Sequence, residues 1–373
     1  MRPEQQRELL ARVNAHRRAG RATDEAEATM ALPTATYTDP DRLAAERRLL
    51  SSTPTVVGLS GLLPTNRSYA TVDVGGASVI VTRDDDSRVS AMFNVCRHRG
   101  SEITAGCGQA ARLACPYHGW TYHLDGTSAA RRRDEYFEGA PTESLASLPV
   151  FEQHGIIWVS GDPDVEIPPN PLQGAEAELG PFDLAGYRLF DSTTFTRPIN
   201  WKLAVDTFCE AYHLSTLHRN TLAPMIHDDF SVFDATGLHG RMISTRKSID
   251  QLDPADDTAD ELLPHATILW FLVPNTVLIH QQDHVQLYQS RPGATADEAH
   301  LSVSLYTPPN SERTEKYWAK NFELLVSVTD TEDFATAAGI QRGYHTRAQD
   351  HVVFGRNEPA LQHFHRSLNS LLE

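Results

Sequence analysis

NVCRHRGSEITAGCGQAARLACPYHGW, residues 94–120, carries two short Cys–His pairs. Cys96 and His98 form C-x-H, Cys115 and His118 form C-x-x-H, and sixteen residues separate them. Each pair is followed by a glycine, Gly100 and Gly119. Strands precede both pairs, which sets them in two loops at one end of a β-rich module. Thiolate and imidazole together suit zinc or an iron–sulfur centre. Structural zinc takes knuckles with both sulfurs from one loop, whereas each loop here offers one sulfur and one nitrogen. Zinc, or four structural residues, are the alternatives on this stretch alone.

Outward from it, TPTVVGL, SYATVDVG, ASVIVTRD and RVSAMFNV read as strands, separated by turn signals such as GG and DDDS. GWTYHLDGT and HGIIWVSGD continue the style, giving an all-β module over 54–160. DPDVEIPPNPLQG follows with four prolines and reads as a linker. Residues 3–50 read as helical, broken at LPTATYTDPDR. Beyond the linker, YRLFDSTTFTRPIN reads as strand and WKLAVDTFCEAYHLSTLH as helix. ATILWFLVPNTVLIHQQDHVQLYQSRP reads as two long strands around a Pro-Asn turn, and HLSVSLYTP as another. Residues 311–340 and 356–373 read as helix, and the acidic stretch 253–261 as a solvated loop. The expected class is α+β: a helical segment over 1–53, the small β-module over 54–160, and an antiparallel sheet packed by helices over 161–373.

Composition narrows the function. The 373 residues are 40% apolar and 22% charged, with a net charge of −16. So acidic a chain repels a phosphate backbone, which argues against nucleic acid as partner. Four cysteines in this length do not make a disulfide scaffold. No apolar run reaches membrane-spanning length, and the N-terminal basic residues lack an apolar core after them. The expectation is a reduced, cytoplasmic protein.

A [2Fe–2S] cluster with two cysteines on one iron and two histidines on the other accounts for the split between the loops. With C-x-H-x16-C-x-x-H and PYHGW, the stretch resembles the Rieske family in its oxygenase form. The cytochrome-complex form has a further cysteine beside each pair; Ser101 and Tyr117 stand there in this sequence. Cys107, in the connecting loop, reads as a plain thiol.

The module accounts for about a hundred residues. In NWKLAVDTFCEAYHLSTLH (200–218), Asp206, Glu210 and His213 fall at i, i+4 and i+7, on one helical face. His218 lies about 140° further round an ideal helix. Both imidazoles reach one metal only if the helix bulges or ends between them, and LST at 214–216 is a place for that. Two histidines and a carboxylate with open positions form the facial triad of non-haem Fe(II) oxygenases. Behind a Rieske motif, NWK…EAYHLSTLH resembles the catalytic α-subunit of Rieske non-haem iron oxygenases.

That resemblance implies a third ligand on a late helix. In TEDFATAAGIQRGY (331–344) it falls on Asp333, with Asp330 and Glu332 as alternatives and Asp330 the nearer one. It implies a reaction with O2 and two electrons from NAD(P)H, delivered by a separate reductase, directly or through a ferredoxin. It implies a homotrimer, in which Glu210 bridges His213 to the neighbour's cluster, through His118 rather than His98. Asp206 is placed near the site or in a local network. Glu at 210 resembles the carnitine and glycine-betaine or choline oxygenases, whereas ring-hydroxylating relatives carry Asp. An N-methylated substrate would want rings, and Phe208, Tyr212, Trp270, Phe271 and Tyr288 are candidates. Aromatic-ring hydroxylation is the alternative, as is an electron carrier or redox sensor without a mononuclear iron. His280 and His284 read as ordinary hydrogen-bonded side chains. The run RRRD at 131–134 reads as a solvated loop, or as a docking patch for an acidic electron donor.

Overall fold

Val79, Ile80 and Val81 are consecutive and fully buried, because the strand that holds them is covered on both faces. Successive side chains of a strand point to opposite faces. Val79 and Val81 join Val57, Ala91, Ile157 and Val159 in one core. Ile80 joins Met92, Leu113, Trp120 and Tyr122 in another, beneath the two Cys–His loops. Each such side chain contributes about 1.5–3 kcal/mol relative to exposure. The computed structural model describes residues 1–256 and 261–373; residues 257–260 of the acidic stretch lie outside the described residues.

The chain divides into two compact units. One comprises 47–171 with 184–188, so it extends past the expected limits of 54 and 160. Its five-stranded antiparallel sheet runs Ser147–Leu148, Val89–Phe93, Ala77–Arg83, Ser68–Val74, Cys107–Gln109. A second sheet orders Val150–Gln153, Ile156–Val159 and Thr55–Leu59. A third orders Leu113–Ala114, Thr121–Tyr122 and Ser128–Ala130. Segment 184–188 lies against two glycines. A Cβ on Gly155 would stand 2.1 Å from the Ala185 nitrogen, and one on Gly61 would stand 2.2 Å from the Tyr187 oxygen. Only glycine permits that approach.

The other unit comprises 1–46, 172–183 and 189–373. Its seven-stranded sheet is built from β1 (Arg188–Arg197), β2 (Ile226–Thr236), β3 (His239–Arg246), β4 (Ala266–Leu272), β5 (Thr276–Gln281), β6 (His284–Pro292) and β7 (Ala299–Thr307). The order is β1-β7-β6-β5-β4-β3-β2, antiparallel through the pairs from β7 to β2. The helices are α1 (Pro3–Arg18), α2 (Trp201–Asp206), α3 (Glu315–Val328), α4 (Ala335–His345) and α5 (Pro359–Ser370). On one face Trp270 and Arg241 meet Phe182 and Glu178. On the other, Phe271 packs on Phe364 of α5. Among the described residues no helix is long and apolar enough to cross a membrane.

Three expectations need correction. The run 266–292 is three strands, since Gln282–Asp283 makes a second tight turn between β5 and β6. Its residues lack the glycine that marks such a turn. Met30–Pro33, inside the expected helical segment, is a strand paired with His351–Phe354. That pairing joins chain ends that no local pattern relates. The helix expected over 201–218 ends at Asp206. Past it the Glu210 carboxylate accepts from the backbone N–H groups of Tyr212 and His213. A carboxylate turned onto those donors starts a new turn instead of flanking a continuing helix.

Candidate metal centres

The two Cys–His loops share one backbone construction. Cys96 N–H donates to Ser101 O and Gly100 N–H to Cys96 O, at 2.9 Å each. Cys115 N–H donates to Trp120 O at 2.8 Å and Gly119 N–H to Cys115 O at 3.0 Å. The closing glycines have φ of +79° and +73°, the left-handed region that glycine adopts without penalty. Each loop therefore presents its cysteine inward and its histidine at the tip. His98 Nδ1 and His118 Nδ1 stand 3.0 Å apart, and the Cys96 and Cys115 thiols are in contact. Among the described residues, no three of these four bring ligand atoms within 4.8 Å of one another. Sulfurs paired with each other and nitrogens paired with each other fit two irons side by side, and do not fit one tetrahedral zinc.

The surroundings favour the ligating forms, thiolate and neutral imidazole. Burial pushes the Cys115 thiol up, but hydrogen bonds from the Tyr117 and His118 backbone, Cys96 and Ser101 bring it down overall. Burial, with His118 and Arg99 nearby, lowers His98, so its ring is neutral with a free lone pair. The Tyr122 hydroxyl lies 3.3 Å from the Cys96 sulfur. Trp120 stacks on His98 with ring centroids 4.8 Å apart. Arg131 belongs to this packing: it lies over Trp120 and pairs with Asp134 at 2.6 Å. Cys107 is an exposed free thiol.

The second centre joins the turns after α2 to a widened turn between α3 and α4. His213 Nε2 and His218 Nε2 stand 3.1 Å apart. Asp333 Oδ1 is 3.0 Å from His218 Nε2 and 3.6 Å from His213 Nε2. Asp333 comes from a π-helical turn, Thr329–Phe334, whose extra residue is characteristic of functional positions. Both rings are held from behind. His213 Nδ1 contacts Glu210 Oε1; His218 Nδ1 is 2.6 Å from Glu332 Oε2, which also accepts from Thr221 Oγ1 at 2.8 Å. A carboxylate at Nδ1 assigns the proton there and leaves Nε2 as a lone pair. Two lone pairs and Asp333 Oδ1, which is buried with no hydrogen-bond donor of its own, converge on one point. Unpaired buried acceptors are costly, and a cation satisfies all three. For His218, burial lowers the pKa, but Asp333 and Glu332 outweigh it and raise it; the potential that favours a proton there favours a metal ion equally.

Other expected residues lie elsewhere. Asp206 is turned away from this centre: it accepts from Tyr37 Oη at 2.7 Å and pairs with His365 Nε2 at 2.8 Å. Asp330 is held by Arg197 at 2.6 Å. Glu332 supports a ring instead of joining the convergent atoms, a role that spacing alone did not reveal. The N-W-K residues build the scaffold. Asn200 caps α2, and Glu46 accepts from Trp201 Nε1 at 2.8 Å and from the Lys202 ammonium at 2.7 Å.

A cavity of 230 Å³ opens beside this centre. Its floor is one face of the sheet, where alternate residues of four strands point the same way. Tyr288 forms the first row. The second is Gln286, Ile279, Leu269 and Met242, and the third His284, Gln281, Thr267 and Ser244. Arg246 follows two residues beyond Ser244. Of the expected rings, Phe208 and Tyr288 line the cavity, with centroids 4.3 Å apart. Trp270 and Phe271 are core residues, and Tyr212 is exposed. His284 lines the cavity, bonded to Asp283 and Gln286. His280 is buried against Phe182.

Comparison with known proteins matches both parts of the chain to families. Residues 53–139 match the Rieske [2Fe-2S] domain, and residues 184–373 match the ring hydroxylating alpha subunit (catalytic domain). The chain is 32% identical to the glycine betaine monooxygenase oxygenase subunit of Chromohalobacter salexigens over 53% of its own length and 45% of that protein's. It is 34% identical to the carnitine monooxygenase oxygenase subunit of Acinetobacter baumannii over 43% of its own length and 45% of that protein's. The chain thus spans about half the length of these curated relatives. The crystal structure of the quaternary ammonium Rieske monooxygenase CntA has the same fold, with a TM-score of 0.80 at 23% identity, over 92% of this chain and 95% of that one.

Proposed function

Because the chain belongs to the ring-hydroxylating alpha-subunit family and carries a Rieske [2Fe–2S] domain, we propose that it is the oxygenase component of a two- or three-protein system. It takes electrons from NAD(P)H through a separate reductase, with or without a ferredoxin, and uses O2 to oxidise a small organic substrate. An N-methylated or quaternary ammonium compound, hydroxylated or oxidatively demethylated, is the favoured class; the named relatives and Glu210 support it, and Phe208 and Tyr288 offer rings near the metal.

Cys96, Cys115, His98 and His118 hold the cluster in this reading, and His213, His218 and Asp333 hold mononuclear Fe(II). The cluster supplies electrons one at a time, and the Fe(II) supplies O2 activation at its open positions. The chain's own residues prepare the site. Glu210 and Glu332 keep Nδ1 protonated and both Nε2 atoms aimed at one point. Asp333 provides the negative charge, and Ile279, Leu269 and Met242 on the floor keep water from the reacting end. A homotrimer is the proposed assembly, with Glu210 linking His213 to His118 of a neighbour. Val95 and Tyr117 are exposed at the cluster loops and Tyr212 is exposed beside His213, which supports a covering surface there. A cytoplasmic location goes with this reading.

One observation carries the proposal: two imidazole lone pairs 3.1 Å apart facing a buried, donorless carboxylate oxygen. Metal and sulfide analysis tests it. Three irons and two sulfides per chain are expected, against two and two for a pure electron carrier. His213→Ala should keep the cluster's visible spectrum, lose one iron and abolish turnover. Turnover that survives this change refutes the assignment. NADH-coupled O2 uptake across N-methylated and aromatic compounds separates the two substrate classes.

A further inference from the structure

Arg246 is a cation on the cavity wall without a matching anion. It ends β3, is only partly exposed, and lines the same cavity as His213, His218 and Asp333. The one side-chain hydrogen bond it makes among the described residues goes to the neutral Gln281 Oε1, at 3.4 Å. The nearest carboxylate, Asp283, is already engaged by His284 Nδ1 at 2.9 Å, Tyr317 Oη at 2.9 Å and Arg313 Nε at 3.2 Å. A guanidinium withdrawn from water is costly unless a charged partner completes its planar fork.

Its position in the cavity is equally informative. Asp333 acts electrostatically on Tyr288, in the first row of the floor. The groups that act on Arg246 are Asp283 and Tyr317. Arg246 is paired with Ile226, eight residues past His218, and both line the cavity. The metal-ligand cluster and the guanidinium therefore share one cavity, whose floor between Tyr288 and Arg246 carries the apolar Ile279, Leu269 and Met242.

We propose that Arg246 is the docking point for a carboxylate on the substrate, which fixes the substrate's orientation and directs its other end to the metal centre. The inference rests on the oxygenase reading of this cavity and adds a polarity to the substrate. A single guanidinium beside a carboxylate suits a monoanion; the nearby Asp283 repels a phosphate dianion. A carboxylate accepts two parallel N–H bonds from the fork, which sets direction as well as affinity.

Titration calorimetry on the metal-loaded protein tests this. The probes are the straight-chain acids from butyrate to octanoate and their terminal trimethylammonium derivatives, each paired with its methyl ester. The wild-type protein is expected to bind at least one acid roughly tenfold or more tightly than its ester. Arg246→Gln should erase that preference without changing ester binding, cluster spectrum or iron content. Arg246→Lys, which retains the charge but not the fork, should keep part of it. Equal affinity for acid and ester, no binding by any acid, or a preference that survives in Arg246→Gln overturns the proposal. If Arg246→Gln does not fold, the wild-type comparison and Arg246→Lys decide: a preference unchanged in the lysine variant also overturns it. An iron count of two with an intact, Arg246-dependent acid preference refutes the oxygenase reading and leaves the carboxylate site standing.

Discussion

Replacing Tyr122 by Phe should lower the reduction potential of the Rieske cluster by about 45 mV. The Tyr122 hydroxyl is 3.3 Å from Cys96 Sγ and accepts from the Arg97 backbone N–H at 3.1 Å. Burial pushes its pKa up, so it remains protonated. With Arg97 already donating to its oxygen, the hydroxyl's own proton is directed at the sulfur. Reduction adds negative charge to the cluster, and a donor at a ligand sulfur stabilises that state more than the oxidised one. A hydrogen bond is worth about 1 kcal/mol net, and for one electron that corresponds to roughly 45 mV. The ring is fully buried, and Phe preserves its packing. Loss of the acceptor for Arg97 should also lower stability, by about 1 kcal/mol. An anaerobic redox titration followed by visible circular dichroism reads the shift. A potential within about 10 mV of wild type, at equal cluster content, would show that the hydroxyl does not act on a ligand sulfur.

Three further outcomes are expected. Glu332→Gln should weaken iron binding at the mononuclear site about 10- to 100-fold, because it frees the His218 ring, while Asp330→Asn should leave iron content unchanged; competition with a chelator measures both. Glu46→Leu should destabilise the fold by about 3–5 kcal/mol in denaturant titration, because it strands a fully buried Lys202 ammonium; burial has already brought that lysine's pKa down to about 8. His280 has its pKa lowered by burial to about 4, so below about 6.5 the unfolded chain takes up a proton that the folded chain refuses. Its contribution is present above pH 6.5 and is lost as pH falls towards 4, roughly 3 kcal/mol in all. Thermal denaturation across that range should show the slope, and His280→Phe should reduce it.

Both candidate centres were largely legible in the sequence where their geometry is local. The two Cys–His loops close on themselves through bonds four and five residues apart, so the motif contains its own structure. His213 and His218 are likewise near neighbours, and Asp333 was found through resemblance to a family pattern. Long-range partners decided what went unread. Asp206 shares the spacing of a ligand, yet Tyr37 and His365, 169 and 159 residues away, claim its two oxygens. Glu332 had the position of a ligand and became the support of His218, 114 residues distant. The helix through 201–218 failed because Glu210 spends a carboxylate on backbone donors, which periodicity does not register.

By itself, the sequence determined the type of chemistry. Ligand identity is a property of residue types at short spacing, and short loops impose few alternatives. Tertiary structure alone decided that His213, His218, Asp333 and Arg246 line one cavity. That arrangement comes from the register of four antiparallel strands and a π-turn between two helices. Register depends on which strands pair, and the closure of long loops makes pairing a property of the whole chain.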